Sequence, residues 1–403
     1  MRRGLPVFIA FAFALALPSR GLPQSATSAF GSESPQVNVD VKALMQKASS
    51  GDPEPQYQLG LAYYGGLGVD KSEYEAMRWY RLAANAGHTE AQNNLGYLYE
   101  TGPGGLRDIA EAVKWYRRGA IYGSAMAQFN LSRLYLYGLG VEQNNSEALR
   151  WMQKSANGKG ALALAGLGLM YATGRGAPQD PHQALKLAKK AVKQRSPEGE
   201  ALLGILYLGG LGISKDMAEG AKRLTKAAQN GSATGQFGLG LLYETGEGVD
   251  KSSHEAVRLF RLAADQGHVG AQAHLGRIYE IGQGVPVDNR EAVGWYRQAA
   301  DQGDIASATR LATILLMGRG VDKNIGEAVK WLTRAAEKGD THAQLHLAGL
   351  YASGTGVQRD LEKAYFLFTL AGKTLDVSKQ LNEISSQLKL ERSDTKPAPG
   401  NQR

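Results

Sequence analysis

The 403-residue sequence predicts an all-α fold, a right-handed α/α superhelical solenoid of about nine 36-residue two-helix repeats with an N-terminal half-repeat and a C-terminal capping helix. Three observations carry that reading. From Pro55 the sequence restarts every 36 residues without insertion or deletion, the fifth column being leucine in every unit from Leu59 and Leu95 to Leu347. The twelfth and fourteenth columns are glycine throughout, from Gly66 and Gly68 to Gly354 and Gly356. The eighteenth column holds only Ser, Asp or Asn, the residue types that cap helix N-termini.

Residues 1–29 have the layout of a signal peptide. Met1-Arg2-Arg3 is a basic start, Leu5 to Leu17 an apolar run too short to span a bilayer, and Pro18-Ser19-Arg20 breaks it. Loss of its three arginines would take the formal charge from +8 to +5, spread along the chain, which is no argument for nucleic acid. Residues 30–54 read as a linker and a half-repeat helix, because Ala48 and Gly51 fall in the columns of Ala84 and Gly87.

Residues 55–378 form the nine repeats. Columns 1, 5, 8 and 9, as in Ala91, Leu95, Leu98 and Tyr99, make one apolar face of a first helix. The glycine pair ends it, since glycine takes the left-handed backbone of a C-cap without steric cost. A second helix opens at column 18, for example Asp108, with glutamate or glutamine three residues later in eight of nine units, a capping-box spacing. All five tryptophans, Trp79, Trp115, Trp151, Trp295 and Trp331, share one column of that helix. They are read as filling the gap between units, opposite small residues such as Ala76 and Ala112, rather than as stacking platforms. Residues 379–391 continue a period of three and four as a capping helix, and residues 392–403 read as a flexible tail.

Composition removes several kinds of chemistry. The chain has no cysteine, hence no thiolate metal site, cysteine nucleophile or disulfide. Its 51 glycines are nearly twice the usual share of roughly 7%, and most of them occupy repeat columns. Nine glycine pairs that follow helices are caps, not phosphate loops. Ser386 with Lys389, and Ser393 with Lys396, have the Ser-x-x-Lys spacing of β-lactam-acylating enzymes but lack the companion motifs. His342 and His346 are four apart, yet no third metal ligand stands out. No catalytic residue, metal or cofactor is assigned.

Ala91-Gln92-Asn93-Asn94-Leu95-Gly96 with Glu111-Ala112 and Trp115-Tyr116, and Ala271-Gln272-Ala273-His274-Leu275-Gly276 with Trp295-Tyr296, resemble the Sel-1-like repeat, a relative of the tetratricopeptide repeat. The resemblance implies an adaptor or scaffold, in a family that includes bacterial envelope regulators, exopolysaccharide-export helpers and host-interaction factors. It also includes a secreted, cysteine-rich subgroup linked to β-lactam binding or hydrolysis, whose disulfides this chain cannot form.

A repeat frame leaves function to the columns it does not fix. Columns 4, 7 and 11 of the first helix share a face beside the core stripe. Their polar or aromatic occupants, Asn94, Tyr97, Asn130, Arg133, Tyr137, His274, Arg277, Arg310 and His346, are the expected partner-binding residues, with Leu169 and Leu202 as apolar occupants. The expectation is a periplasmic or secreted, monomeric, non-enzymatic scaffold that binds a protein or peptide, with no nucleic acid and no membrane span after signal removal. A β-lactam or cell-wall hydrolase is one rival, and a scaffold in exopolysaccharide assembly or envelope signalling another.

Overall fold

The computed structural model describes residues 40–102, 107–158 and 160–394, all helix and connection with no strand among them. The predicted signal peptide and most of the predicted tail lie outside the described residues.

The chain divides at His268 into two compact units. The first unit contains α1 (Val41–Ala48) and six helix pairs. These are α2 (Pro53–Gly65) with α3 (Glu73–Asn85), α4 (Thr89–Thr101) with α5 (Ile109–Ile121), and α6 (Ala125–Tyr137) with α7 (Asn145–Asn157). They continue as α8 (Ala161–Thr173) with α9 (Pro181–Lys193), α10 (Pro197–Gly209) with α11 (Met217–Gln229), and α12 (Ala233–Thr245) with α13 (Ser253–Asp265). The second unit holds α14 (Val269–Ile281) with α15 (Asn289–Asp301), α16 (Ile305–Met317) with α17 (Ile325–Glu337), α18 (Thr341–Ser353) with α19 (Leu361–Ala371), and finally α20 (Ser378–Asp394). Within each unit a second helix packs both on its own first helix and on the next.

The first helices begin two residues before the repeat phase, because the column taken as a turn supplies their N-caps. Ser124 and Asp340 accept from the backbone N–H three residues on, at 3.4 and 2.7 Å, and the His88 ring Nδ1 does the same for Ala91 at 3.2 Å. All nine first helices end at the column 12 glycine with φ between 62° and 80°, where a Cβ would be strained.

The second helices are capped at column 18 as expected, Asp108 accepting from the Glu111 N–H at 3.0 Å and Asp360 from the Lys363 N–H at 2.8 Å. The reciprocal half of the capping box does not form. The cap N–H donates instead to a carbonyl of the preceding helix, Asp108 to Tyr99 at 2.9 Å and Asp288 to Tyr279 at 2.9 Å. This releases the glutamate side chain, which accepts from the indole Nε1 one turn later: Trp151 to Glu147 at 3.0 Å, Trp295 to Glu291 at 3.1 Å and Trp331 to Glu327 at 3.2 Å.

Repeats are joined by two devices. Column 2 glutamines cross to the last turn of the preceding second helix, where carbonyls lack intrahelical partners: Gln92 Nε2 donates to Ala84 O at 3.0 Å and Gln128 Nε2 to Ala120 O at 3.1 Å. Trp115 packs back on the preceding repeat, against the cluster of Ala76, Tyr80 and Leu95, and Trp151 against that of Ala112, Tyr116 and Leu131.

Candidate partner-binding surface

In the first unit, consecutive first helices lie side by side, α4 with α6, α8 with α10 and α10 with α12. Columns 4 and 7 therefore face a neighbouring helix as well as solvent. Three of the expected partner-binding residues are buried there: Asn94, Asn130 and Arg133 are all at most 2% exposed. Asn130 Nδ2 donates to Asn93 Oδ1 at 3.0 Å, and Asn93 Nδ2 to Asn94 Oδ1 at 3.2 Å.

Arg133 pairs through Nη2 with Glu100, which also accepts from the Tyr116 hydroxyl at 2.9 Å. Burial works against the guanidinium's charge, but Glu100 and Tyr116 outweigh it, so its pKa is raised. Burial, and then the Glu100 carboxylate, holds the Tyr116 phenol well above its usual range. Arg133 is thus occupied inside the protein, and the guanidinium counted on for a partner is spent on a fold contact.

Around this network the tyrosines stay half-buried. Tyr97 packs against the clusters on both sides, and burial raises its pKa. Tyr137 lies under the Arg175 guanidinium, 4.5 Å from the ring centroid. Burial likewise pushes Tyr57 up to about 12.

The second unit repeats the tyrosine–glutamate pair five repeats later. Tyr296 donates to Glu280 at 2.7 Å, and Arg310 stands 3.8 Å from the same carboxylate while its side chain remains 66% exposed. Arg277, half-buried, donates to Gln283 at 3.0 Å and meets the His274 ring at 3.2 Å. His346 is half-buried, its pKa lowered by burial and then by His342. Both of these histidines sit in α18. Among the described residues no group of three or more His, Asp or Glu is placed to hold a metal ion.

Sequence reasoning missed Glu100, Tyr116, Glu280 and Tyr296. Glutamate recurs at column 10 in Glu100 and Glu280 and tyrosine at column 26 in Tyr116 and Tyr296, but the two columns lie on different helices of a repeat, so their contact is not a helical spacing. The close approach depends on glycine. A Cβ at Gly96 would lie 2.8 Å from the Tyr116 ring, and one at Gly276 2.5 Å from Tyr296.

Between α8, α10 and α12 the same columns become apolar and line a small, open hollow. Leu162, Ala165, Gly166, Leu169, Leu202 and Ile205 line it, with Thr234 and the buried Glu198 at its margin. Leu169 and Leu202, the apolar occupants of the variable columns, thus form one concave site. At the far end of the chain the Ser386 hydroxyl donates to the Asn382 carbonyl one turn earlier, at 2.9 Å.

The Sel1 repeat profile matches nine segments of the chain, from residues 54–88 to residues 341–373. Among solved structures, the chain is similar to a Sel1 repeat protein from Oxalobacter formigenes, with 33% identity over 57% of this chain and 95% of that one, at a TM-score of 0.47. It is also similar to a protective antigen present in uropathogenic Escherichia coli strains, with 26% identity over 91% of this chain and 99% of that one, at a TM-score of 0.35. A third similarity is to a Sel1 repeat protein from Klebsiella pneumoniae, with 24% identity over 50% and 98% of the two chains and a TM-score of 0.35. Comparison with curated proteins found no match.

Proposed function

We propose that this chain, which belongs to the Sel1 repeat family, is an exported, non-enzymatic scaffold that holds a peptide or an extended protein segment on the exposed face of its first helices. The observation that carries this reading is the hollow between α8, α10 and α12, built from columns that the repeat frame leaves free. Apolar walls with few polar groups suit the side-chain anchors of an extended segment. Export rests on the basic start and apolar run of residues 1–29.

The frame columns are already engaged in caps, glutamine bridges and tryptophan contacts, which leaves the first-helix face to bind. In the second unit, Arg277, Arg310 and His274 offer polar contacts on the same columns, Arg310 being the most exposed.

The test is a displayed random-peptide library panned against the purified chain. A consensus should emerge that loses binding to Thr234→Arg, which places a long side chain at the hollow, or to Arg277→Ala with Arg310→Ala. A consensus that binds all variants as well as the parent would place the interaction elsewhere. Turnover of a chromogenic β-lactam, abolished by Ser386→Ala, would replace the scaffold by a hydrolase.

A further inference from the structure

Helix α9 is unlike the other second helices in its charge. Lys186, Lys189, Lys190 and Lys193 are exposed at spacings of three and four, which puts them on one face, while Ala184, Leu187, Ala188 and Ala191 hold the other side in the core. Like charges at these spacings oppose helix formation. Elsewhere the column of Lys186 is neutralised by a glutamate three residues earlier, as in Arg78–Glu75, Arg150–Glu147 and Arg258–Glu255, each at 2.9 Å. In α9 that position is Gln183. The carboxylates nearest in sequence are committed: Asp180 caps the helix through the Gln183 N–H at 2.9 Å, and Glu198 and Glu200 are buried.

A second cost is retained two residues past the helix. Arg195 has φ 58°, the one positive value for a non-glycine residue among the described residues. Its column is glycine in six other repeats, for instance Gly87 at 97° and Gly231 at 81°. A side chain with a Cβ takes this backbone only against strain, and such strain marks function more often than chance. Here it adds a fifth exposed cation just past the end of the lysine helix.

The same edge of the first unit carries an apolar anomaly. Ile121 and Tyr122, 64% and 69% exposed, end α5 in the columns of Lys193 and Gln194. Other repeats place Asn85, Asn157, Gln229, Asp265 and Asp301 where Ile121 stands.

We propose that this edge, the Lys186–Arg195 face together with Ile121 and Tyr122, docks on an anionic phospholipid bilayer. The proposal goes beyond peptide capture and does not depend on it. Lysine ammonium groups are flexible point charges, suited to a diffuse anionic surface, whereas reading a particular carboxylate or phosphate favours the planar fork of arginine. Helix α9 has no Phe, Tyr or Trp on which bases could stack. An aliphatic side chain and a tyrosine at the equivalent helix end two repeats earlier match the headgroup boundary, where an apolar body and a polar tip are both accommodated.

The test is cosedimentation of the full chain with phosphatidylcholine vesicles, with and without a third of phosphatidylglycerol. Binding is expected only to the anionic vesicles and should weaken as salt is raised. Because each lysine near such a surface is worth about fivefold, Lys186→Ala, Lys189→Ala, Lys190→Ala and Lys193→Ala together should lower affinity several hundredfold. A charge-matched variant with Lys47, Lys114, Lys222 and Lys338 replaced by alanine keeps the same Leu5–Leu17 segment and should change much less. Arg195→Gly should raise the melting temperature while lowering affinity about fivefold, a combination that a structural role for the arginine would not give. The proposal is overturned by equal loss in the two quadruple variants, by equal binding to neutral vesicles, or by binding to polyglutamate or DNA but not to vesicles.

Discussion

The hydroxyl of Tyr116 donates to the carboxylate of Glu100 at 2.9 Å, inside the protein and one repeat away from the arginine that balances that charge. Five repeats later Tyr296 and Glu280 make the same bond at 2.7 Å. The first copy is closed, with Arg133 2% exposed, and the second is open, with the Arg310 side chain 66% exposed. The tyrosine–glutamate pair thus recurs, while its arginine comes from column 7 in the first unit and from column 4 in the second, where Thr313 stands at the place of Arg133.

The closed copy should be costly to break. Arg133→Met leaves a buried carboxylate without its cation and should destabilise by roughly 3–5 kcal/mol. Combining it with Glu100→Gln should recover a large part of that loss. Arg310→Met, at the exposed arginine near the second pair, should cost under about 1 kcal/mol. Urea denaturation of the four chains checks this ordering, and a similar cost at Arg133 and Arg310 would contradict it.

The glutamine bridges should matter in proportion to their geometry. Gln92→Leu removes the side-chain donor from the Ala84 carbonyl, which keeps the Gly87 N–H at 3.2 Å, and should cost about 0.5–1.5 kcal/mol. Gln344→Leu removes a longer bond, 3.3 Å against 3.0 Å, and should cost less. Thermal unfolding of the two single variants decides it.

Most of the frame was legible in the sequence because caps, left-handed glycines and the core leucine depend on residues within one repeat. The C-cap at Gly102 and the N-cap at Asp108 need only their own neighbours. What escaped depends on contacts between repeats. Arg133 read as surface because its partner, Glu100, belongs to the preceding helix pair. Gln92 was visible as part of a motif, but its role requires knowing where the Ala84 carbonyl points. The glutamate of the capping box was expected to bond the cap N–H, whereas that donor is already taken by the helix before it.

Glycines in the helices should divide by what a methyl group would meet. Gly276→Ala sets a Cβ 2.5 Å from the Tyr296 ring and should destabilise. Gly349→Ala meets nothing within 4 Å and should stabilise by about 0.5–1 kcal/mol, because alanine loses less backbone entropy in a helix. Melting temperatures moving in opposite directions would bear this out. A shift of the same sign in both would not.

His268 makes stability depend on pH. Its ring stacks on Phe237 at 4.7 Å, and burial lowers its pKa from 6.5 to about 4. The unfolded chain therefore binds the proton more readily between those values. The stabilisation is complete above pH 6.5 and declines as pH falls towards 4, by up to about 3 kcal/mol. His268→Ser, the residue of the equivalent columns at Ser124 and Ser232, should remove that slope even where it lowers stability at pH 7. Denaturation at pH 7 and pH 5 compares the two chains, and an unchanged slope in the variant would assign the pH dependence to other groups.

The central claim is that the first-helix face binds and the second-helix frame supports it. Photo-crosslinking amino acids placed in turn at Leu162 and Thr234, beside the hollow, and at Arg118 and Arg334, on exposed second-helix positions, test it in cells that make the protein. The account predicts a discrete crosslinked species from Leu162 and Thr234, lost when Leu169 is also replaced by a charged residue that leaves the helical signal intact, and none from Arg118 or Arg334. The same adduct from the second-helix positions, with none from the hollow, would contradict it.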